Sequence, residues 1–107
     1  MQIDWIEPQK VYNHSISSYF AYIVKILANS PISRDALMEY LKEKNVETTI
    51  MFRPIHMQPY YKSKFNIQNR YPNAEFVGTN TLVLPLHAGM TIEDAEYVMS
   101  ALRNVKK

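Results

Sequence analysis

The distribution of apolar and polar positions along the chain predicts three β-strands. In residues 18–27 (SYFAYIVKIL) apolar side chains recur at every second position, which is typical of a strand with one buried face. The side chains expected on that face are Phe20, Tyr22, Val24 and Ile26. Residues 46–52 and 81–86 have the composition of two further strands, and Pro85 indicates a sheet edge or a strand end.

Two other segments have the periodicity of amphipathic helices. Residues 34–44 follow Ser33, a favoured N-cap residue, and Asn45 can end this helix in the left-handed conformation. Thr91 begins the second helix, and Asp94 completes the pattern of a capping box. The positions expected to face the core are Leu37, Tyr40 and Leu41 in the first helix and Ile92, Ala95, Val98, Met99, Leu102 and Val105 in the second.

The order of these elements indicates an α+β fold in a single domain, residues 1–107. Residues 1–15 are predicted to be an irregular lead-in. Residues 53–80 show little periodicity apart from one helical turn near Tyr60 and a short helix that begins at Pro72. We therefore expect a two-layer sandwich of about three mostly antiparallel strands, with two main helices on one face and a long loop between strands 2 and 3.

The composition limits the possible classes of function. The 107 residues carry a net charge of +2 with interspersed acids and bases, so no basic stripe for nucleic acid is expected. The absence of cysteine excludes disulfides and thiolate metal sites and is typical of a cytoplasmic protein. The first ten residues do not have a signal-peptide pattern, and no apolar run reaches the ~20 residues of a membrane helix. Two glycines are too few for a phosphate-binding loop.

Residues 50–59 (IMFRPIHMQP) are the strongest candidate for a binding site. Arg53 and His56 lie among apolar side chains at the end of a predicted strand, on a loop too long for an ordinary connection. A fixed cation, a titratable ring and apolar walls fit a small-molecule site. The alternative is a solvent-facing Arg53 and a half-buried His56 packed on Pro59 and Tyr60, and on these residues alone the alternative is favoured.

The sequence predicts neither a catalytic centre nor a metal site. His14, His56 and His87 are far apart and share no ligand spacing. No serine or lysine occupies a recognisable nucleophile turn, and Lys25 on its predicted strand is expected to face solvent. The chain alone is therefore not expected to be a complete enzyme.

Six short motifs follow one another within residues 16–105. They are Arg34-Asp35, Val46-Glu47-Thr48, Pro54-x-His56 with Pro59-Tyr60, Pro72-Asn73-Ala74-Glu75, Leu84-Pro85-Leu86 and Met90-Thr91. In this order and with these gaps they resemble the C-terminal small domain of the DegT-type sugar-nucleotide aminotransferases. These are perosamine-synthase-like pyridoxal-phosphate enzymes of fold type I.

The resemblance implies the transfer of an amino group from glutamate to a keto-sugar nucleotide through pyridoxal phosphate, in lipopolysaccharide or deoxysugar biosynthesis. In that family a preceding large domain supplies the Schiff-base lysine and the other cofactor-binding residues. We therefore expect this chain alone to bind no cofactor. The expected partners are a large catalytic domain or partner chain and the sugar nucleotide, and a homodimer is left open.

The resemblance also assigns four residues to substrate contact. Arg53 would pair with a phosphate or with the glutamate carboxylate, because a guanidinium fork suits both anions. His56 would hydrogen-bond a sugar or phosphate oxygen, and Phe52 and Tyr60 would shape the wall of the site. The surface that meets the large domain should carry exposed apolar side chains.

Two other functions are kept as alternatives. A stand-alone sugar-nucleotide-binding or regulatory module without catalysis would bind a nucleotide sugar measurably and stay monomeric. A small basic domain that binds RNA would need a basic stripe with stacking aromatic residues, and the lysines here are too scattered for that.

Overall fold

Three strands and four α-helices form within residues 2–106, the part of the chain that the computed structural model describes. The strands are β1 (Ile6–Pro8), β2 (Tyr22–Ile26) and β3 (Thr81–Leu84). The helices are α1 (Arg34–Glu43), α2 (Pro59–Lys64), α3 (Pro72–Asn80) and α4 (Ile92–Arg103), and a 3-10 turn covers Ile55–Met57. The sheet is antiparallel throughout, so the predicted α+β class is confirmed.

Strand β2 lies in the middle of the sheet and brings the apolar positions of all three strands onto one face. Val24 lies opposite Pro8 of β1 and Leu82 of β3, and Ile26 lies opposite Ile6. Because side chains alternate along a strand, these residues share one face. Val24 and Leu82 are fully buried on it.

Helices α1 and α4 cover this apolar face. Leu37 of α1 and Leu102 of α4 are fully buried and belong to the same hydrophobic cluster as the strand residues. The two helices are also joined by a hydrogen bond in which the Tyr40 hydroxyl donates to the Ala101 carbonyl over 2.9 Å. The prediction of two main helices on one face of the sheet is confirmed.

One strand of the sheet comes from a segment where the sequence predicts none. Strand β1 lies in residues 1–15, so the expected irregular lead-in is wrong there. Residues 46–52 form no strand in the described chain, although Thr49 makes an isolated bridge with Val83 of β3. Burial holds β1 in place, since Trp5 and Ile6 both enter the core, whereas Val46 is buried in the same core without strand pairing.

Two predicted apolar stripes are longer than their buried parts. Strand β2 begins at Tyr22, because Tyr19 has a positive φ of 48° that interrupts the extended backbone, and Phe20 is exposed. In α4 only the second half joins the core, from Val98 onward, and Ile92 remains exposed.

The helix ends are formed as the sequence predicts. The Ser33 hydroxyl accepts a hydrogen bond from the backbone N–H of Ala36, and Asn45 has a φ of 60°. At α4 the backbone N–H of Asp94 donates to the Thr91 hydroxyl, and the backbone N–H of Thr91 donates to the Asp94 carboxylate. This second bond lowers the pKa of Asp94 below its ordinary value, because it stabilises the ionised form.

Candidate functional site

An open groove of about 1070 Å³ lies between the start of α1, the segment that leads into α2, and the end of α3. Three of the four predicted site residues line it, namely Phe52, Arg53 and Tyr60. The loop therefore brings one guanidinium and two aromatic rings to a single concave surface. Such a surface suits a ligand that combines anionic groups with a ring.

The groove residues present their side chains to solvent. Phe52 is 77% exposed and Tyr60 is 63% exposed, and the Arg53 side chain is also exposed. The turn that carries Arg53 is held by a side chain of the same loop, because the Gln58 side-chain amide donates to the Arg53 carbonyl over 3.1 Å. The loop backbone is thus fixed while the Arg53 guanidinium remains available to an anion.

His56 lies in the same loop but does not line the groove. Its side chain is only 11% exposed and packs edge-on against Tyr71, with ring centroids 4.8 Å apart. The His56 Nε2 atom is buried without a hydrogen-bond partner, and it lies 3.9 Å from a Glu75 oxygen. The Glu75 carboxylate is already bound by Arg70, whose Nε donates to both oxygens over 2.8 and 3.2 Å. His56 therefore packs against Tyr71, the residue before α3, and does not face the groove.

Arg34 is a residue of the groove that the sequence analysis did not select. Its side chain is 8% exposed, and one terminal nitrogen donates to the carbonyls of Gly78 and Thr81 over 3.0 and 2.9 Å. The sequence shows an arginine next to the N-cap of α1, which is usually a solvent-facing place. Only the fold shows that it reaches α3, more than forty residues away.

Gly78 brings the loop directly onto α3. A Cβ atom at this position would lie 2.5 Å from both Cδ and Cγ of Pro54. Pro54 follows Arg53 in the chain. Because Gly78 has no side chain, Pro54 and with it the wall of the groove that carries Arg53 can approach α3 closely. Its helical φ would not by itself require a glycine.

Within residues 2–106 no group of three His, Cys, Asp or Glu side chains could hold a metal ion. Over the same range no helix is long and apolar enough to cross a membrane.

A model of the DegT/DnrJ/EryC1/StrS aminotransferase family matches residues 2–103. Among solved structures, the aminotransferase TlmJ from Streptoalloteichus hindustanus is 28% identical with a TM-score of 0.80, over 95% of this chain and 26% of TlmJ. DesI, solved in the presence of its TDP-sugar product, is 25% identical with a TM-score of 0.80, over 95% of this chain and 26% of DesI.

A more distant structure shows the same fold. PseC from Helicobacter pylori, an aminotransferase involved in the biosynthesis of pseudoaminic acid, is 19% identical with a TM-score of 0.78, over 97% of this chain and 29% of PseC. The chain thus spans little more than a quarter of the length of these structures. Because the family match extends over nearly all of its residues, the chain belongs to the DegT/DnrJ/EryC1/StrS aminotransferase family.

Proposed function

We propose that residues 1–107 are the small C-terminal domain of a pyridoxal-phosphate-dependent aminotransferase that acts on a keto-sugar nucleotide. The observation that carries the proposal is the groove, in which Arg53 lies beside Phe52 and Tyr60 in a chain of this family. The large catalytic domain or partner chain would supply the remaining part of the active site. We also propose a cytoplasmic location, which the absence of cysteine favours.

The groove residues do not fit pyridoxal phosphate by themselves. The cofactor requires a lysine, and none of the residues that line the groove is a lysine. Lys25 on β2 is ion-paired with Glu7 over 2.6 Å on the face of the sheet opposite the core. The groove carboxylate, Asp35, already accepts a hydrogen bond from Arg34. We therefore assign the cofactor to the complete enzyme.

In the proposal the chain binds and orients the substrate. The Arg53 guanidinium would donate to phosphate oxygens or to the glutamate carboxylate, and the rings of Phe52 and Tyr60 would exclude water beside it. The contact proposed for His56, with a sugar or phosphate oxygen, requires its ring to turn away from Tyr71 and Glu75.

Large apolar side chains on the surface indicate that a partner covers this part of the chain. Ile16 and Phe20 before β2, and Ile92 and Tyr97 on α4, are large and exposed. Soluble monomers keep such surface small because its hydration is unfavourable. A large domain, a partner chain or a second copy that covers these side chains is therefore part of the proposal.

We expect the chain mixed with pyridoxal phosphate, and then reduced with borohydride, to carry the label on several lysines in proportion to their exposure. The reason is that, within residues 2–106, no lysine has the partners that a cofactor site needs. Peptide mapping by mass spectrometry measures the distribution, and the urea-unfolded chain is the control. Concentration of the label on one lysine in the folded chain alone would contradict catalytic incompleteness.

Titration of the chain with UDP-glucose is expected to shift the amide resonances of residues 48–60 in NMR spectra. Loss of one exposed charge-assisted contact amounts to about 1 kcal/mol, so Arg53→Gln should raise the dissociation constant about fivefold. Arg103→Gln on the exposed end of α4 removes the same charge and is expected to change nothing. Equal dissociation constants for the two variants would remove Arg53 from the site.

The same titration distinguishes the proposed domain of an aminotransferase from the alternative, a stand-alone binding module. A domain that supplies one wall of a cleft should bind in the millimolar range, since most of the ligand surface stays uncovered. Micromolar affinity together with a monomer in sedimentation would favour the stand-alone module.

A further inference from the structure

The charges of the chain are divided unevenly between one segment and the rest. Residues 51–74 contain four Lys or Arg side chains and no Asp or Glu, so the segment carries +4. The other residues contain eight basic and ten acidic side chains and carry −2. Arg70 is the one cation of the segment that a carboxylate neutralises, since Glu75 binds it. The net charge of +2 therefore conceals a segment with excess positive charge, which attracts anions.

The centre of this segment, α2, combines its lysines with aromatic rings. The rings of Tyr61 and Phe65 are within 5° of parallel, with centroids 6.3 Å apart, and Phe65 is 62% exposed. Residues four apart lie on one face of a helix, and Phe65 is the C-cap residue of α2, so the two rings form a continuous strip along the C-terminal part of α2. We call Tyr61 and Phe65 the aromatic strip. Parallel exposed rings are a stacking surface for another planar ring.

Lys64 connects the aromatic strip with the groove. Its ammonium group donates to the Tyr60 hydroxyl over 3.0 Å and lies 5.3 Å from the Tyr60 ring and 5.7 Å from the Phe65 ring. Tyr60 in turn lines the groove. The Lys64 ammonium therefore lies beside Phe65 of the aromatic strip and beside Tyr60 of the groove, while the Tyr61 ring packs edge-on against the Tyr60 ring with centroids 5.1 Å apart. Two of the three ammonium donors remain free for a further acceptor.

We propose that α2 binds the nucleoside diphosphate part of the sugar nucleotide, with the base on the aromatic strip and the diphosphate at Lys64. The Lys64 ammonium, beside Phe65 on one side and Tyr60 of the groove on the other, suits such a ligand, in which a diphosphate joins a planar base to the sugar. The inference rests on the proposed function, because it takes the sugar and the phosphate attached to it to reach the groove beside Arg53. Beyond the proposed function, the inference assigns α2 to the nucleotide and assigns the diphosphate contact to Lys64 and not to Lys62.

Lys62 is the matched control within the same helix. It lies two residues after Tyr60, so helix geometry directs it to the opposite side of α2 from Tyr60 and the groove. Lys62→Gln and Lys64→Gln remove the same charge from the same acid-free segment. If anions are attracted only by the overall charge, both variants should weaken binding equally. If the proposed site is correct, Lys64→Gln should weaken binding much more than Lys62→Gln.

The experiment is an NMR titration of the 107-residue chain with UDP, inorganic pyrophosphate, uridine and UDP-glucose. We expect UDP to shift the amide resonances of residues 60–65 and to bind more tightly than pyrophosphate or uridine. Lys64→Gln should raise the dissociation constants of UDP and pyrophosphate about fivefold, and Lys62→Gln less than twofold. Tyr61→Leu should raise the UDP constant about fivefold and leave the pyrophosphate constant unchanged, because only the base stacks.

The outcomes separate this inference from the proposed function. If UDP-glucose shifts the groove resonances while residues 60–65 do not respond to any probe, the α2 assignment is overturned and the proposed function stands. If UDP shifts residues 60–65 but the glucose of UDP-glucose does not affect the groove, α2 is supported as a nucleotide site and the Arg53 site is overturned. Equal effects of the two lysine variants, or tighter binding of a short single-stranded RNA than of UDP, would overturn the α2 proposal.

Discussion

Replacement of Arg34 by methionine is expected to lower the free energy of unfolding by about 3 kcal/mol, because it leaves the carbonyls of Gly78 and Thr81 without their donor. The Arg34–Asp35 ion pair contributes little to this loss, since the Asp35 side chain is 81% exposed and water screens the pair. The larger part comes from the Thr81 carbonyl, whose bond with Arg34 is buried. Urea denaturation followed by circular dichroism measures the change.

The control for this variant is Arg103→Met on the exposed end of α4. We expect it to change the stability by less than about 0.5 kcal/mol, as is usual for exposed positions. Arg34→Lys should fall between the two, because an ammonium group keeps the charge but reaches the two carbonyls less well than the guanidinium fork. Equal stabilities of Arg34→Met and Arg103→Met would show that the two carbonyls find other partners.

Replacement of Gly78 by alanine is expected to lower the free energy of unfolding by about 2 kcal/mol, since overpacking of a close contact typically costs this much. The added Cβ would lie 2.5 Å from the ring carbons of Pro54, and a proline ring has little freedom to move aside. The loop must then lift from α3, so the resonances of Arg53 should shift as well. Thermal unfolding and the NMR spectrum measure the two effects.

The other glycine provides the matched control for this variant. A Cβ at Gly89 would lie 3.5 Å from His87 Nδ1, which is an ordinary contact, and neither glycine has a positive φ. Gly89→Ala should therefore be neutral or stabilise the fold by up to about 1 kcal/mol through the unfolded state. A loss of stability in Gly89→Ala as large as that in Gly78→Ala would contradict the steric explanation.

Both variants act at one junction, where the start of α1 and the loop around Pro54 meet the end of α3. Arg34 holds this junction through the Gly78 carbonyl, and Gly78 admits Pro54. Since both residues also line the groove, the junction positions the wall that carries Arg53. We expect the effects of Arg34→Met and Gly78→Ala to be non-additive in a double variant, because the two substitutions disturb the same contact.

Several parts of the fold follow from local sequence. Helix α1 begins and ends where Ser33 and Asn45 predict, and α4 begins with the capping box of Thr91 and Asp94. These signals are reliable because each depends on hydrogen bonds or backbone angles within a few residues. The loop that lines the groove could be selected in the same way, since a long aperiodic segment with an arginine and aromatic residues is visible in the sequence.

The sequence by itself determined the α+β class, the two main helices and the family resemblance that the comparisons confirm. Only the tertiary structure decided that β1, and not residues 46–52, completes the sheet, and that Arg34 is buried at the wall of the groove. The physical reason is the range of the interactions. A cap or a helical stripe depends on near neighbours, whereas strand pairing and a buried arginine depend on which distant carbonyls and apolar side chains the folded chain brings together.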